Sequence, residues 1–302
     1  MDHLVEFQRP DLRDPVLLAA FTGWNDASET ATMAARMLIR QWSAEVCAEI
    51  DPEDFFVFTE TRPQVRGVDA AQRQIVWPQT RFYAARVPAS SRDFLILLGT
   101  EPQLHWKTFV RVVLDYSTEL GVSLVLALGG LLADVLHSRP PVLTGSIADR
   151  DLARRLNGLG LRRSHYEGPT GIVGVLGATC RDRGLPSGSL WGNVPHYIAS
   201  TANPVVSRAL LGAVARLFDV HVDLSELDRA VVRFNSQIAD AIANDPDVAS
   251  YVRQLEQRDP QPTLEPEAAE ADAPSTGDLP SPESIVEQLE EFLRQRGQDQ
   301  ES

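Results

Sequence analysis

Five apolar, β-rich runs separated by helical patterns constrain the fold of this chain more than any other feature of its sequence. The runs are "PVLLAAF" (15–21), "DFLILLG" (93–99), "VSLVLALGG" (122–130), "PVLTGS" (141–146) and "GSLWGNVPHY" (188–197). Several are apolar at consecutive positions, which suits strands covered on both faces by helices. Helical patterns fall between and after them at 27–42, 103–120, 149–157, 171–183 and 204–218. This βα alternation predicts a mostly parallel sheet in a three-layer α/β/α sandwich.

Residues 46–87 break the rhythm. "FFVFTE", "RQIVWP" and "RFYAARVP" are β-prone and carry no helical pattern. They are expected to extend the sheet with antiparallel strands or to form a small hairpin excursion. After about 220 the strands cease. "DLSELDRAVVRFNSQIADAIANDPDVASYVRQLEQ" has a cap at Asp223, an apolar stripe through Leu227, Val231, Phe234, Ile238 and Ile242, and a restart with Pro246 in the first turn. That reads as a helical hairpin. From 259 a Pro-, Glu- and Ala-rich linker leads to one short amphipathic helix near the end. The expected organisation is a sandwich domain over 1–220, a helical subdomain over 221–258, and an acidic linker with a short helix over 259–302.

Charge is distributed as unevenly as structure. The chain carries a formal −14, of which −10 lies at 259–302, with 12 acids and 2 arginines, leaving −4 for the body. Neither part shows a basic stripe along the sequence, so no nucleic-acid partner is expected. No apolar run reaches the roughly 18 to 20 residues of a membrane span, and the charged N-terminal stretch lacks an apolar signal core. Two cysteines, Cys47 and Cys180, show neither a disulfide framework nor metal-ligand spacing. A cytoplasmic location without membrane contact is expected. Of 28 basic residues only Lys107 is a lysine. Phosphate-binding loops, Schiff bases and ATP-grasp ligases therefore have almost no ammonium to use, and Lys107 itself reads as a solvated residue on a helix face.

Candidate site residues cluster where strands end. Trp24, Asn25 and Asp26 follow the first strand, at the edge where α/β sheets usually bind ligands. Asp26 with Glu29 three residues on also reads as a capping box. Asp134, His137 and Arg139 follow "LGG" and could bind an anion or orient water; they read equally as surface and loop residues. Glu167 and Thr170 precede a helix that begins with small residues, where Thr170 would cap and Gly171, Gly174 and Gly177 would allow close approach. Asn193 and His196 end the last strand, His196 reading either as a general base or as a partner of turn carbonyls. GxGxxG, GxSxG and HExxH patterns are absent, so no cofactor and no metal are expected.

Four segments, "GWNDASE", "GGLLADVLHSRPPVLTG", "YEGPTGIVGVL" and "SLWGNVPHYIASTANP", followed by a helical region ending in "YVRQLE", resemble the actinobacterial branch of the proteasome assembly chaperone 2 family over about residues 10–258. The resemblance implies a phosphorylase/hydrolase-like α/β/α sandwich with a C-terminal helical subdomain. It also implies self-association, as a homo-oligomer and in particular a trimer, and a protein partner such as proteasome subunits. Some archaeal relatives end in a hydrophobic-Tyr-X tail that enters pockets of the α-ring, whereas this sequence ends "RQRGQDQES". The resemblance and the missing nucleophile favour a protein-binding role without catalysis. The alternative is a phosphorylase/hydrolase-like enzyme or small-molecule binder, with its site at the C-terminal edge of the sheet. A carboxylate-amine ligase is disfavoured by the single lysine.

Overall fold

The structure, a computed structural model, describes residues 2–67, 73–88, 90–147, 153–154, 168–199, 201–244 and 246–258. Its strands are β1 (Leu4–Glu6), β2 (Val16–Thr22), β3 (Glu45–Ile50), β4 (Gln64–Arg66), β5 (Gln74–Val76), β6 (Thr80–Ala85), β7 (Phe94–Thr100), β8 (Leu124–Ala133), β9 (Leu143–Ile147) and β10 (Ser187–Pro195). The helices are α1 (Thr30–Gln41), α2 (Trp106–Glu119), α3 (Ile172–Asp182), α4 (Pro204–Phe218), α5 (Ser225–Asn244) and α6 (Pro246–Arg258).

Eight strands form one sheet in the order β1-β3-β6-β7-β2-β8-β10-β9, and β4 and β5 pair as a separate ribbon. At the centre β7, β2, β8 and β10 are mutually parallel. Antiparallel β6 and β9 flank that block, and β3 and β1 continue the β6 side. Five strands, β2, β3, β7, β8 and β10, therefore run one way and β1, β6 and β9 the other.

The continuous apolar runs work as two interleaved faces, because successive side chains in a strand point to opposite sides. In β2, Val16, Leu18 and Ala20 join Phe94, Ile96, Leu126 and Leu128 in a core covered by α1 and α4. The intervening Leu17, Ala19 and Phe21 join Leu95, Leu97, Val125 and Ala127 in a second core under α2 and α3. All of these are buried, each worth about 1.5 to 3 kcal/mol for its larger members. This is the three-layer sandwich. Helix α2 turns its apolar side to the second core and leaves Lys107 exposed in its first turn.

Helices α5 and α6 build a third, smaller core. Phe234, Ile238 and Ala241 of α5 and Val248, Val252 and Leu255 of α6 pack with Tyr197 and Ile198, just beyond β10. They sit over the C-terminal end of that strand.

The irregular stretch resolves into both of its expected forms. β3 and β6 extend the sheet antiparallel, and β4–β5 is the excursion. "FFVFTE" differs, being a run of turns with Phe55 and Phe56 buried. Phe55 packs edge-on against Phe109 and its carbonyl accepts the amides of Gln103 and Leu104. Aromatic β-propensity there reflects burial beneath α2, without a neighbouring strand to pair with. The helix expected at 149–157 falls almost wholly outside the described residues.

Candidate functional site

Parallel β7, β2, β8 and β10 all end at one rim, so the turns after them meet there. Hydrogen bonds stitch these turns to one another. Asp26 forms a parallel bridge with Gly130, whose amide donates to the Asn25 carbonyl at 2.8 Å. Gly130 is glycine for a steric reason: a Cβ there would fall 2.1 Å from Thr30 Oγ1 and 2.8 Å from the Ala27 carbonyl oxygen.

Between β2 and α1 the chain makes a single turn, Ala27–Glu29, in which Ser28 and Glu29 adopt left-handed backbone at φ 52° and 51°. Such geometry costs roughly 1 to 2 kcal/mol per non-glycine residue and persists only where neighbours enforce it. Ser28 supplies that enforcement. Its buried hydroxyl donates to the Ala199 carbonyl at 2.7 Å, and its own carbonyl accepts the Asn203 amide at 2.9 Å. The turn after β2 is thereby fastened to the turn after β10. Asn203 in turn caps α4, accepting the Val205 and Val206 amides at 3.1 Å each.

Asp26 caps α1, but by a different route from a capping box. Its Oδ1 accepts the Ala31 and Thr32 amides at 2.7 and 3.3 Å, and its Oδ2 accepts the Thr32 hydroxyl. The left-handed turn pushes the helix start to Thr30, so the capped amides lie five and six residues on. Glu29 does not reach back: it pairs with Arg36 at 3.1 Å, while the Asp26 amide donates to the Gly23 carbonyl. Burial pushes the Asp26 carboxyl above its ordinary range, opposed by these donors.

Asn25 is buried, and its Nδ2 donates to Glu101 Oε1 at 2.6 Å; the same oxygen accepts the Ile172 amide at 2.8 Å. Glu101, just past β7, thus caps α3 from across the sheet. Thr170 does not perform that role. Gly171 is the residue before the helix and makes no side-chain cap, and the Thr170 hydroxyl reaches only its neighbour's carbonyl at 3.5 Å. Among the described residues, Asn25 Oδ1 has no hydrogen-bond partner.

A second group gathers beneath α5 and α6. The Tyr197 hydroxyl accepts the His137 amide at 2.9 Å and lies 2.8 Å from His137 Nδ1. The pairing is complete when that hydroxyl donates to Nδ1 of a neutral ring. Burial pushes the His137 imidazole below its ordinary range. His196 Nε2 lies 2.7 Å from the Tyr251 hydroxyl of α6, so it binds a helix side chain in place of turn carbonyls. Tyr197 and Tyr251 stand edge to face at 6.2 Å. His137, Arg139 and Asn193 line one cavity of about 20 Å³, room for about one water. Asn193 is buried, and both its amide atoms lack a partner among the described residues, the kind of group such a molecule satisfies.

The rim therefore holds Trp24, Asn25 and Asp26 at β2, Thr170 by α3, and His137, Arg139, Asn193 and His196 towards β10. Asp134 is exposed in the turn after β8, and Glu167 lies outside the described residues. Tyr197, which follows His196 in the sequence, joins the network, and Glu101, Asn203 and Tyr251, which were not among the sequence candidates, complete it. Glu101 follows "LLGT" at another strand end, and that position was the signal available. Among the described residues no group of three or more His, Cys, Asp or Glu could hold a metal ion, and no helix is long and apolar enough to cross a membrane.

Fold and rim together define an α/β/α sandwich protein whose strand-end turns are interlocked by side-chain hydrogen bonds. The chain belongs to the PAC2 family, whose model matches residues 20–242. It is 38% identical to a proteasome-assembly chaperone homologue of Mycobacterium tuberculosis, with TM-score 0.71 over 78% of this chain and 99% of that one. A PAC2 family protein of Streptomyces avermitilis is 41% identical, with TM-score 0.70 over 79% and 100%. The fold extends to PbaB of Pyrococcus furiosus, an archaeal proteasome activator, at 21% identity and TM-score 0.64 over 78% and 97%. No curated protein gave a significant match.

Proposed function

We propose that this chain is a self-associating, chaperone-like protein that recognises proteasome subunits or their assembly intermediates through its surface, without a catalytic step. The observation that carries this reading is the state of the rim. Asn25, Asp26, Ser28, Glu101 and Asn203 are engaged in holding its turns together, while Trp24 and Leu132, at the ends of neighbouring β2 and β8, stand 63% and 45% exposed. A rigid frame presenting large apolar side chains suits recognition of a protein, since aromatic anchors dominate such interfaces. The 38% identical relative, named as a proteasome-assembly chaperone homologue, supports the choice of partner.

Tagged chain immobilised in native cytosol should retain proteasome subunits, and a Trp24→Ala variant should retain them less. Recovery of no proteasome subunit at low and moderate salt would remove the chaperone role. Light scattering on the purified protein tests self-association directly, a trimer being the expected particle and a monomer at all concentrations the contrary result.

A further inference from the structure

Five arginines far apart in sequence line one cleft. Arg36 and Arg40 of α1, Arg62 and Arg66 at the β4–β5 ribbon, and Arg81 of β6 surround a space of about 560 Å³ over the ends of β6 and β7. Among the described residues, no aspartate or glutamate lines it. Arg36, Arg40 and Arg81 pair with Glu29, Glu226 and Glu49 at 3.1, 3.2 and 2.7 Å. The first two pairs are exposed, and pairs of that kind are weak and readily exchanged for a better partner. Arg62 and Arg66 pair with no carboxylate among the described residues. Trp77 offers a half-exposed aromatic wall beside them.

Five guanidinium groups around one space, two of them with no carboxylate partner among the described residues and two more in weak exposed pairs, favour an anionic occupant in a chain of net −14. The chain supplies one. Residues 265–278 carry Glu265, Glu267, Glu270, Asp272 and Asp278 and no basic residue. We propose that this acidic segment docks in the arginine cleft of its own chain, its carboxylates taken up by the guanidinium forks.

The reach is sufficient. Ser138 Oγ donates to Glu256 at 3.3 Å, which places the end of α6 at the turns above β8 and β10. From β10 to β6 is four strand spacings, about 19 Å. Six residues lie between Arg258 and Glu265, seven chain steps with an extended span of up to about 25 Å. Tethering also raises the segment's effective concentration to about the millimolar range, so modest affinity suffices. This inference is independent of the chaperone role.

Cys47 and Cys180 are buried, so an Ala273→Cys variant of the full chain takes a thiol-directed spin label at one accessible place. At about 0.05 M salt the label should broaden the Trp77 indole resonance and the Val65 and Arg66 amides several-fold. Broadening should vanish at about 1 M salt, where the screening length is about 3 Å. An Arg62→Glu, Arg66→Glu variant with unchanged melting temperature should abolish it at low salt too. Full-intensity Trp77 signals at low salt, or equal broadening in the double variant, would overturn the proposal. Broadening that appears only when unlabelled isotopic chain is mixed with spin-labelled chain would also overturn it, by making the occupant a second copy.

Discussion

Arg13 grips the fully buried carboxylate of Asp93 at two points, Nε to Oδ2 at 3.0 Å and Nη2 to Oδ1 at 2.7 Å. The Arg13 amide adds a bond to Oδ2 at 2.8 Å and the Val87 amide one to Oδ1 at 3.0 Å. The loop before β2 is thereby tied to the strand beside it. Burial acts to raise the Asp93 pKa, yet the four donors and the Arg13 charge outweigh it and hold the carboxyl below its ordinary range. Asp93→Ala strands these donors and should cost roughly 3 kcal/mol at neutral pH, read from urea midpoints. A group lowered on folding contributes its full stability above about pH 4 and loses it as pH falls through the folded value. The penalty of the substitution should therefore shrink as the pH falls below about 4 and through the folded value.

Gly171→Ala places a Cβ 2.3 Å from Asn25 Oδ1 and 2.7 Å from Glu101 Oε1. Either the α3 cap or the Asn25–Glu101 bond must give way. A loss of about 1 to 3 kcal/mol is expected, seen as a lower melting temperature. Gly177→Ala, whose Cβ would meet only Arg181 at 3.8 Å, should be neutral or stabilising and serves as the control.

His137 predicts an acid sensitivity of known sign. Its folded pKa lies below the ordinary 6.5 because burial disfavours the charged ring. The unfolded chain then binds the proton more readily, so this stabilisation is complete above about pH 6.5 and is lost as pH falls through the folded value. His137→Asn keeps an acceptor near Nδ1 without the titration. Its denaturation midpoint should change less between pH 7.5 and 5.5 than that of the unsubstituted protein.

Trp24→Ala separates recognition from folding. The side chain is exposed at the rim, so stability should move by no more than about 0.5 kcal/mol. Retention of the partner should fall severalfold. A large drop in melting temperature would instead make Trp24 a structural residue.

The layers of the fold were legible because they depend on local periodicity. "PVLLAAF" and "DFLILLG" are apolar at successive positions, and the structure covers both of their faces. The helical pattern read at 204–218 coincides with α4, whose Pro204 opens the helix behind the Asn203 cap. The site was less so, since its chemistry joins residues far apart in the chain. Asn25 meets Glu101, and Glu101 meets Ile172, only because β7 and β2 are neighbours in the sheet. Asp26 and Glu29 have the spacing of a capping box, but two left-handed residues, set by contacts with Ala199 and Asn203, displace the helix start. The arginine cleft was invisible for the same reason. Its members come from α1, β6 and the ribbon segment, and no stretch of sequence looks basic.

Lys107, exposed in the first turn of α2, has a consequence of its own. Isopeptide tagging and acylation both need a lysine ε-amine, and this sequence offers one. Any degradation signal built on that linkage has a single address, on the outer side of the helix over the second core. Amine-reactive dyes or surfaces should likewise join the folded protein in one orientation once the terminal amine is blocked.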